Sequence, residues 1–325
     1  MLQDCSELGK FSQPNYYTMP KFHVEKSIII DSSPDKVYEF VSNLSYWNKW
    51  SPWLVVEPEA KFIVAEHGDS YTWEGERVGS GEMKVLKREE NKAVDYDLHF
   101  LKPWKSQADI RFEIKEHGKQ TKVVWLMDSK LPFFMFFLKN MMVAMLGMDF
   151  NRGLNMLKDL AELGEVQSKL DFVGETEYPG CTYIGLTREV AMDDMGPAMV
   201  KDFGFLMEYM ADKTDKISLE PVTIYHKFEI VKGKANYTAA IPVSEVPDNL
   251  PNGVVTGKIP KTPIYKLRHT GKYDHLGNPW SAMMNLQRAK VFKPAKGIHP
   301  FESYVNSMTD TDPKDLITDI NFAVK

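Results

Sequence analysis

The chain has 325 residues, which is long enough for two domains of ordinary size. Hydrophobic residues make up 43% of it and charged residues 26%, a balance typical of folded globular proteins and not of disordered ones. The net charge is -5, and the sequence shows neither a concentrated basic block nor a helix-turn-helix pattern. We therefore expect no nucleic-acid partner.

The two cysteines, Cys5 and Cys181, lie far apart and belong to no Cys-x-x-Cys or Cys/His pattern. A disulfide framework and a metal site are therefore not expected. The sequence has no P-loop, no GxGxxG and no GxSxG motif, so we expect no cofactor. Residues 1–20 carry no apolar signal segment, which makes a cytoplasmic location the default expectation.

The first half opens with a strand and a helix. Residues 21–30 (KFHVEKSIII) alternate at first and end in β-branched side chains, which is typical of a strand. Ser33 suits the N-cap of a helix and Pro34 its first turn, and apolar residues then recur at helical spacing. Three tryptophans follow at every third position: Trp47, Trp50 and Trp53. This aromatic loop either caps the mouth of a cavity or packs into the core.

The remainder of the first half alternates between strand-like segments and turns. Five segments are predicted to be strands: residues 71–78, 82–88, 93–101, 108–115 and 122–127. Alternating apolar and polar side chains in these segments indicate an antiparallel sheet with one face in water. Residues 149–163 have the spacing of a closing helix. The apolar stretch 131–148 is short for a membrane span, and we predict a buried face there, with membrane contact as the lesser alternative.

The second half contains an internal repeat. Aligning Gly196 with Gly277 also superposes Leu186 on Leu267, and each unit has the order strand, glycine-led helix, strand, strand. Two such units are expected to share a sheet and to form a groove near a pseudo-twofold axis. The predicted division is an extension at 1–20, a first domain at 21–164, a linker at 165–180 and a second domain at 181–325. The fold class is α+β.

The first half resembles the SRPBCC superfamily, which includes polyketide cyclase-like and START-like proteins. The resemblance is carried by VEKSIIIDSSPDKVYEFVSNLSYWNKWSPW at its start and by GMDFNRGLNMLKDLAE at its end. It implies a helix-grip fold, in which an antiparallel sheet wraps over a long C-terminal helix. It also implies a space for a small apolar ligand, without naming that ligand.

The second half resembles the GyrI-like domain, the effector-binding domain of AraC-type and multidrug-responsive activators. HTGKYDHLGNPWSAM, HPFESYVN and LITDINFAVK carry the resemblance. In that family a buried glutamate, followed two residues later by tyrosine, lies in the binding core, and Glu302 and Tyr304 match this pattern. Some stand-alone members hydrolyse strained cyclopropane compounds, so the resemblance also implies a hydrolase. No DNA-binding part accompanies the domain here, and direct contact with DNA is therefore not expected.

Glu302 is the first candidate for a site residue. It lies in a predicted interior strand, where an apolar groove would raise the pKa of its carboxyl group. Such a group attracts a cationic aromatic ligand or acts as a general acid or base. The alternative is an ordinary solvent-facing glutamate. The candidate aromatic residues of the groove are Tyr225, Tyr237, Tyr265, Trp280, Phe301 and Tyr304.

We therefore expect the protein to bind small hydrophobic or cationic aromatic molecules, as a sensor or a sequestering protein. The main alternative is a hydrolase of reactive small molecules, such as cyclopropanoids, with Glu302 as base and Tyr304 as its helper. A third possibility is an interaction module that presents a ligand-loaded surface to another protein. The sequence leaves the identity of the ligand and of any protein partner open.

Overall fold

The computed structural model describes residues 21–325, which form two antiparallel sheets and five α helices. The strands of the first sheet are β1 (Lys21–Ile30), β2 (Lys61–Val64), β3 (Ser70–Glu74), β4 (Ser80–Glu89), β5 (Ala93–Lys102), β6 (Ser106–His117) and β7 (Gln120–Lys130). The helices of this half are α1 (Pro34–Ser42), α2 (Trp47–Trp50) and α3 (Lys139–Leu163). The strand order β1-β7-β6-β5-β4-β3-β2, with α3 packed on β1, confirms the helix-grip fold.

Two tryptophans of the aromatic loop pack into the core of the first half, whereas Trp53 is half-buried and lines the space between the two halves. Trp47 and Trp50 are buried, and Trp125 of β7 stacks on Phe150 of α3 with ring centroids 4.0 Å apart. These large rings fill the space between the sheet and the C-terminal part of α3. Space for a ligand is consequently left beside the N-terminal part of this helix, where Met142 is among the lining residues.

Helix α3 begins ten residues earlier than predicted and is preceded by a 3₁₀ turn, Phe133–Leu138. It ends at Gly164, whose φ of 86° is left-handed and therefore suits glycine. The prediction of a buried face for residues 131–148 is wrong for much of this stretch. Phe134, Phe137 and Met141 are exposed, because apolar residues surround the turn while the sheet covers only one side of it.

The second sheet has eight strands in the order β12-β9-β11-β10-β14-β15-β13-β8. Its strands are β8 (Ser168–Tyr178), β9 (Cys181–Ala191), β10 (Val222–Glu229), β11 (Lys234–Val243), β12 (Val254–Ile259), β13 (Thr262–Gly271), β14 (Phe301–Tyr304) and β15 (Ile317–Ala323). Its helices are α4 (Met195–Met210) and α5 (Gly277–Arg288). The repeat is visible in the strand order: β9, β11 and β10 occupy one side of the sheet, and β13, β15 and β14 mirror them on the other.

The prediction of a linker at residues 165–180 is wrong for most of this segment. Most of them form β8, which pairs with β13 from Thr262↔Tyr178 to Gly271↔Ser168 and so belongs to the second sheet. Polar residues are compatible with this position because β8 is an edge strand, with alternate side chains in water. The chain therefore passes from α3 to the second sheet within a few residues.

The two halves are joined by polar contacts around Asp159 of α3. This buried carboxylate accepts hydrogen bonds from His275 Nε2 at 2.8 Å and Lys272 Nζ at 2.7 Å, both in the second half. The backbone N–H of Gln167 donates a third bond at 3.0 Å. Burial alone would raise the pKa of Asp159, but these bonds outweigh it and lower the pKa to about 2.

Two further contacts extend the junction. Arg152 of α3 donates to Asn278 of α5 at 3.0 Å, and both side chains are buried. Val56 of the first half is buried in an apolar cluster of the second, together with Leu286 and Phe322. The relative placement of the halves is thus set by buried polar and apolar contacts, and α3 contributes to both domains.

Candidate functional site

A cleft of about 2550 Å³ lies between the two halves. Residues of β1, β7 and α3 line it from the first half, and residues of α4, α5, β10 and β14 line it from the second. Its volume exceeds the roughly 300–1,000 Å³ of a pocket for one drug-sized molecule. Met145 and Met148 of α3 line the cleft, as do Met199 of α4 and Met284 of α5, so its walls are soft as well as apolar.

Strand β14 places a carboxylate in the wall of this cleft. The strand pairs with β10 on one side and β15 on the other, so Glu302 lies in the centre of the sheet and is only 1% exposed. Side chains of a strand alternate between its faces. Glu302 and Tyr304 therefore share the face that lines the cleft, and Phe301 lies on the opposite face against Tyr178.

Two aromatic side chains donate hydrogen bonds to Glu302, and a third acts on its pKa. Trp280 Nε1 on α5 lies 2.5 Å from Oε1, and the Tyr304 hydroxyl lies 2.7 Å from Oε2. The Tyr225 hydroxyl on β10 also lowers the pKa of Glu302. The Tyr304 hydroxyl also lies 2.9 Å from Thr223 Oγ1, which orients it toward the carboxylate.

Burial raises the pKa of Glu302, and Trp280, Tyr304 and Tyr225 oppose that rise only in part. Burial likewise raises the pKa values of Tyr225 and Tyr304 well above 10, so both hydroxyls keep their protons as donors. Within residues 21–325, no cationic side chain contributes to the pKa of Glu302. The cleft therefore holds a buried carboxylate that is satisfied by neutral donors and lacks a positive counter-charge.

Aromatic rings surround this carboxylate on two sides. Tyr225 and Trp280 meet edge to face at 4.8 Å, and Phe228 lies 5.5 Å from Trp280. On the other side, Phe203 of α4 packs against Tyr304 at 5.5 Å, and Tyr273 lies 5.7 Å from Tyr304. All of these residues line the cleft. Faces of aromatic rings attract cations, and their area favours flat apolar molecules.

The structure brings together four of the candidate residues: Glu302, Tyr304, Trp280 and Tyr225. It places the other three elsewhere. Tyr237 is fully buried opposite Tyr225 and donates to Asp202 at 2.9 Å, so α4 covers it. Phe301 lies on the opposite face of β14, and Tyr265 stacks on Phe292 at 4.7 Å, away from the cleft.

Several lining residues were not singled out from the sequence. Tyr273 lies within the HTGKYDHLGNPWSAM motif, which is a signal that could have identified it. Burial, followed by the Glu302 charge, raises the pKa of its hydroxyl to about 12. Phe203 and Met199 repeat at i and i+4 on α4, a spacing that also fits ordinary core. No pattern in the sequence places Met145 and Met148 against the second half.

The histidines have structural partners. His226 Nε2 lies 2.7 Å from Thr238 Oγ1, and His269 Nε2 lies 3.1 Å from Ser168 Oγ. Burial lowers the pKa of both, that of His269 to about 4, and His275 belongs to the Asp159 junction. In the described part of the chain, no group of three or more His, Cys, Asp or Glu side chains is arranged for a metal ion.

Comparison with known proteins assigns each half to a family. Residues 21–162 match the family described as polyketide cyclase/dehydrase and lipid transport. Residues 175–325 match the GyrI-like small molecule binding domain. A search of curated proteins gives no match. None of the helices described between residues 21 and 325 is long and apolar enough to cross a membrane.

Solved structures align with parts of the chain. A cryo-EM structure of an EcmrR–DNA complex is 18% identical, covers 57% of this chain and 68% of its own, and has a TM-score of 0.40. The EcmrR C-terminal domain is 19% identical, covers 49% and 98%, and has a TM-score of 0.37. The Aha1 dimer from Colwellia psychrerythraea is 22% identical, covers 44% and 98%, and has a TM-score of 0.33.

The order of the two family matches agrees with the order of the two resemblances found in the sequence. The chain therefore joins a domain of the polyketide cyclase/dehydrase and lipid transport family to a GyrI-like small-molecule-binding domain.

Proposed function

We propose that the cleft binds small aromatic or apolar molecules that carry a positive charge, as a sensor or a sequestering protein. The observation that carries this proposal is the buried carboxylate of Glu302, held by Trp280, Tyr304 and Tyr225 without a cationic partner. A charge buried in this way is costly unless it is paired. A ligand cation supplies the missing charge, while the surrounding rings contact its apolar part.

The cleft favours a ligand that contacts both halves. Met145 and Met148 of α3 line the same space as Trp280 and Glu302, so the first half closes one side of the site. Methionine side chains adapt their shape to different ligands. This arrangement suits a protein that accepts several related compounds.

A pair of isosteric probes tests this proposal: 1-methylquinolinium, which is permanently charged, and 1-methylnaphthalene, which is neutral. Attraction between unit charges about 4 Å apart has an upper limit of about 4 kcal/mol at an effective dielectric constant of about 20. We therefore expect Glu302→Gln to weaken binding of the cation on the order of 100-fold, with little effect on the neutral probe. Thermal shift and calorimetric titration measure both affinities.

Glu220→Gln is the matched control for this experiment. Glu220 also lines the cleft, but its side chain is exposed, so water already screens its charge. The control should bind the cation nearly as well as the unmodified protein does. Equal losses in the two variants, or no preference of the unmodified protein for the cation, would contradict the proposal.

A second candidate function is hydrolysis of a strained, electrophilic small molecule. It is supported by the hydrogen bond from the Tyr304 hydroxyl to Glu302, which forms an acid–base pair facing the cleft. Turnover of an activated cyclopropane, lost in both Glu302→Gln and Tyr304→Phe, would favour the hydrolase. Binding of the same compound without turnover would favour the sensor or sequestering protein.

A further inference from the structure

The first half presents an exposed apolar surface beside the cleft. We call it the aromatic edge. It consists of the 3₁₀ turn Phe133–Leu138, the end of β5 and the loop between β5 and β6, with the exposed side chains Phe134, Phe136, Phe137, Leu101 and Trp104. The exposed fractions of Phe134 and Phe137 are 73% and 69%. Folded proteins rarely leave such contiguous apolar surfaces in water without a binding role.

Strand pairing brings both parts of the edge to the same end of the sheet. Ser129 Oγ near the end of β7 donates to the Gln107 carbonyl near the start of β6 at 2.6 Å. The β5–β6 loop, which contains Trp104, therefore projects beside the turn that follows β7. The aromatic side chains form one surface rather than scattered exposed residues.

Lysines predominate at the margin of this surface. Lys102, Lys105, Lys130 and Lys139 are all exposed at its margin, and Lys102 pairs with Glu74 at 3.4 Å. The sequence from residue 129 to residue 148 contains no aspartate or glutamate. Exposed aromatic side chains with lysines around them are the chemistry of segments that lie in the interface of a bilayer.

We propose that the aromatic edge inserts into the surface of a membrane that contains anionic lipids. Phe134 and Phe137 enter the boundary between headgroups and acyl chains, and the lysines contact the anionic headgroups. Trp104, Lys130 and Leu131 also line the interdomain cleft, so the cleft opens beside the proposed membrane surface. An apolar ligand dissolved in the bilayer would then reach the cleft without crossing water.

Co-sedimentation of the full chain with vesicles tests this proposal. One set of vesicles contains equal parts of phosphatidylcholine and phosphatidylglycerol, and the other contains phosphatidylcholine alone. We expect binding to the anionic vesicles, weakened by salt, and much weaker binding to the neutral ones. Each inserted phenylalanine contributes about ten-fold or more to partitioning, and each lysine about five-fold.

The double variant Phe134→Ser/Phe137→Ser should lose most of this binding, on the order of 100-fold. Its matched control is Ile63→Ser/Leu86→Ser, which removes two equally exposed apolar residues elsewhere on the same domain. The control should bind anionic vesicles as the unmodified protein does. Equal binding to both vesicle types, or unchanged binding of the phenylalanine variant, would overturn the proposal.

Sedimentation velocity gives an independent outcome. If the full chain binds neither kind of vesicle but self-associates through Phe134 and Phe137, the aromatic edge is an interface between copies of this chain. That result also overturns the proposal. Because the cleft-binding assays use soluble probes, failure of membrane binding leaves the proposed ligand site intact.

Discussion

Replacing Asp159 with asparagine should weaken the contact between the two halves and lower the free energy of unfolding. The pKa of this carboxyl falls from 3.8 to about 2, although burial opposes the shift, because His275 and Lys272 donate to it. At about 1.4 kcal/mol per pH unit, this lowering of the pKa corresponds to about 2–3 kcal/mol of stability. Breaking a buried ion pair typically costs about 3–5 kcal/mol. We therefore expect Asp159→Asn to lower the free energy of unfolding by about 2–4 kcal/mol.

The sign of its pH dependence follows from the lowered pKa. The stabilisation is fully present above the unfolded pKa near 3.8 and is lost as the pH falls toward 2. The difference between the variant and the unmodified protein should therefore be constant near neutral pH and shrink in acid. Urea unfolding, followed by tryptophan fluorescence, measures it at each pH.

Asp212→Asn is the control for Asp159→Asn, because Asp212 forms an exposed ion pair with Lys213. Such pairs contribute about 0–1 kcal/mol. If Asp159→Asn destabilises the protein no more than this control does, the Asp159 contacts do not hold the halves together.

Three further predictions concern Glu302, Trp280 and the core. Affinity for a permanent cation should fall as the pH drops through the raised pKa of Glu302, which lies above 4.5, and calorimetry on Glu302→Gln should show no such fall. Trp280→Phe removes the indole donor at 2.5 Å, so urea unfolding should show a loss of about 1–3 kcal/mol, and an unchanged midpoint would refute this role. Gly153→Ala places a methyl group 2.8 Å from Trp125 and should lower the free energy of unfolding by about 1–3 kcal/mol, which thermal unfolding measures. Gly204→Ala, with open space around the new methyl group, should not lower it.

Much of the fold could be predicted from local patterns, because side chains alternate along the strands of the first half and the second half contains an internal repeat. Alternation in the first half and the internal repeat in the second predicted most of the helices and strands, but not β2, β8 or β12. Strand β8 was predicted as a linker because it is an edge strand, where polar residues are common. The exposure of Phe134 and Phe137 could not be predicted, because apolar composition does not show which surfaces a neighbour covers.

The site was predictable only in part for a related reason. The motif identified Glu302 and Tyr304, and strand alternation alone would have excluded Phe301 from their face. Tyr237 is on the correct sheet, but α4 covers it through Asp202. The lining that α3 gives to the cleft depends on how the two halves pack together. That packing includes individual contacts, such as Arg152 with Asn278, which no repeating pattern in the sequence predicts.

The central claim is that a cationic ligand lies against Glu302 in a cleft built by both halves. The most direct test is a crystal structure of the full chain with 1-methylquinolinium bound. We expect the ring nitrogen within about 6 Å of an aromatic ring centroid, beside the Glu302 carboxylate, and the ligand in contact with Met145 or Met148 of α3. A ligand bound outside the cleft, or one that leaves Glu302 facing only its own aromatic donors, would contradict the account.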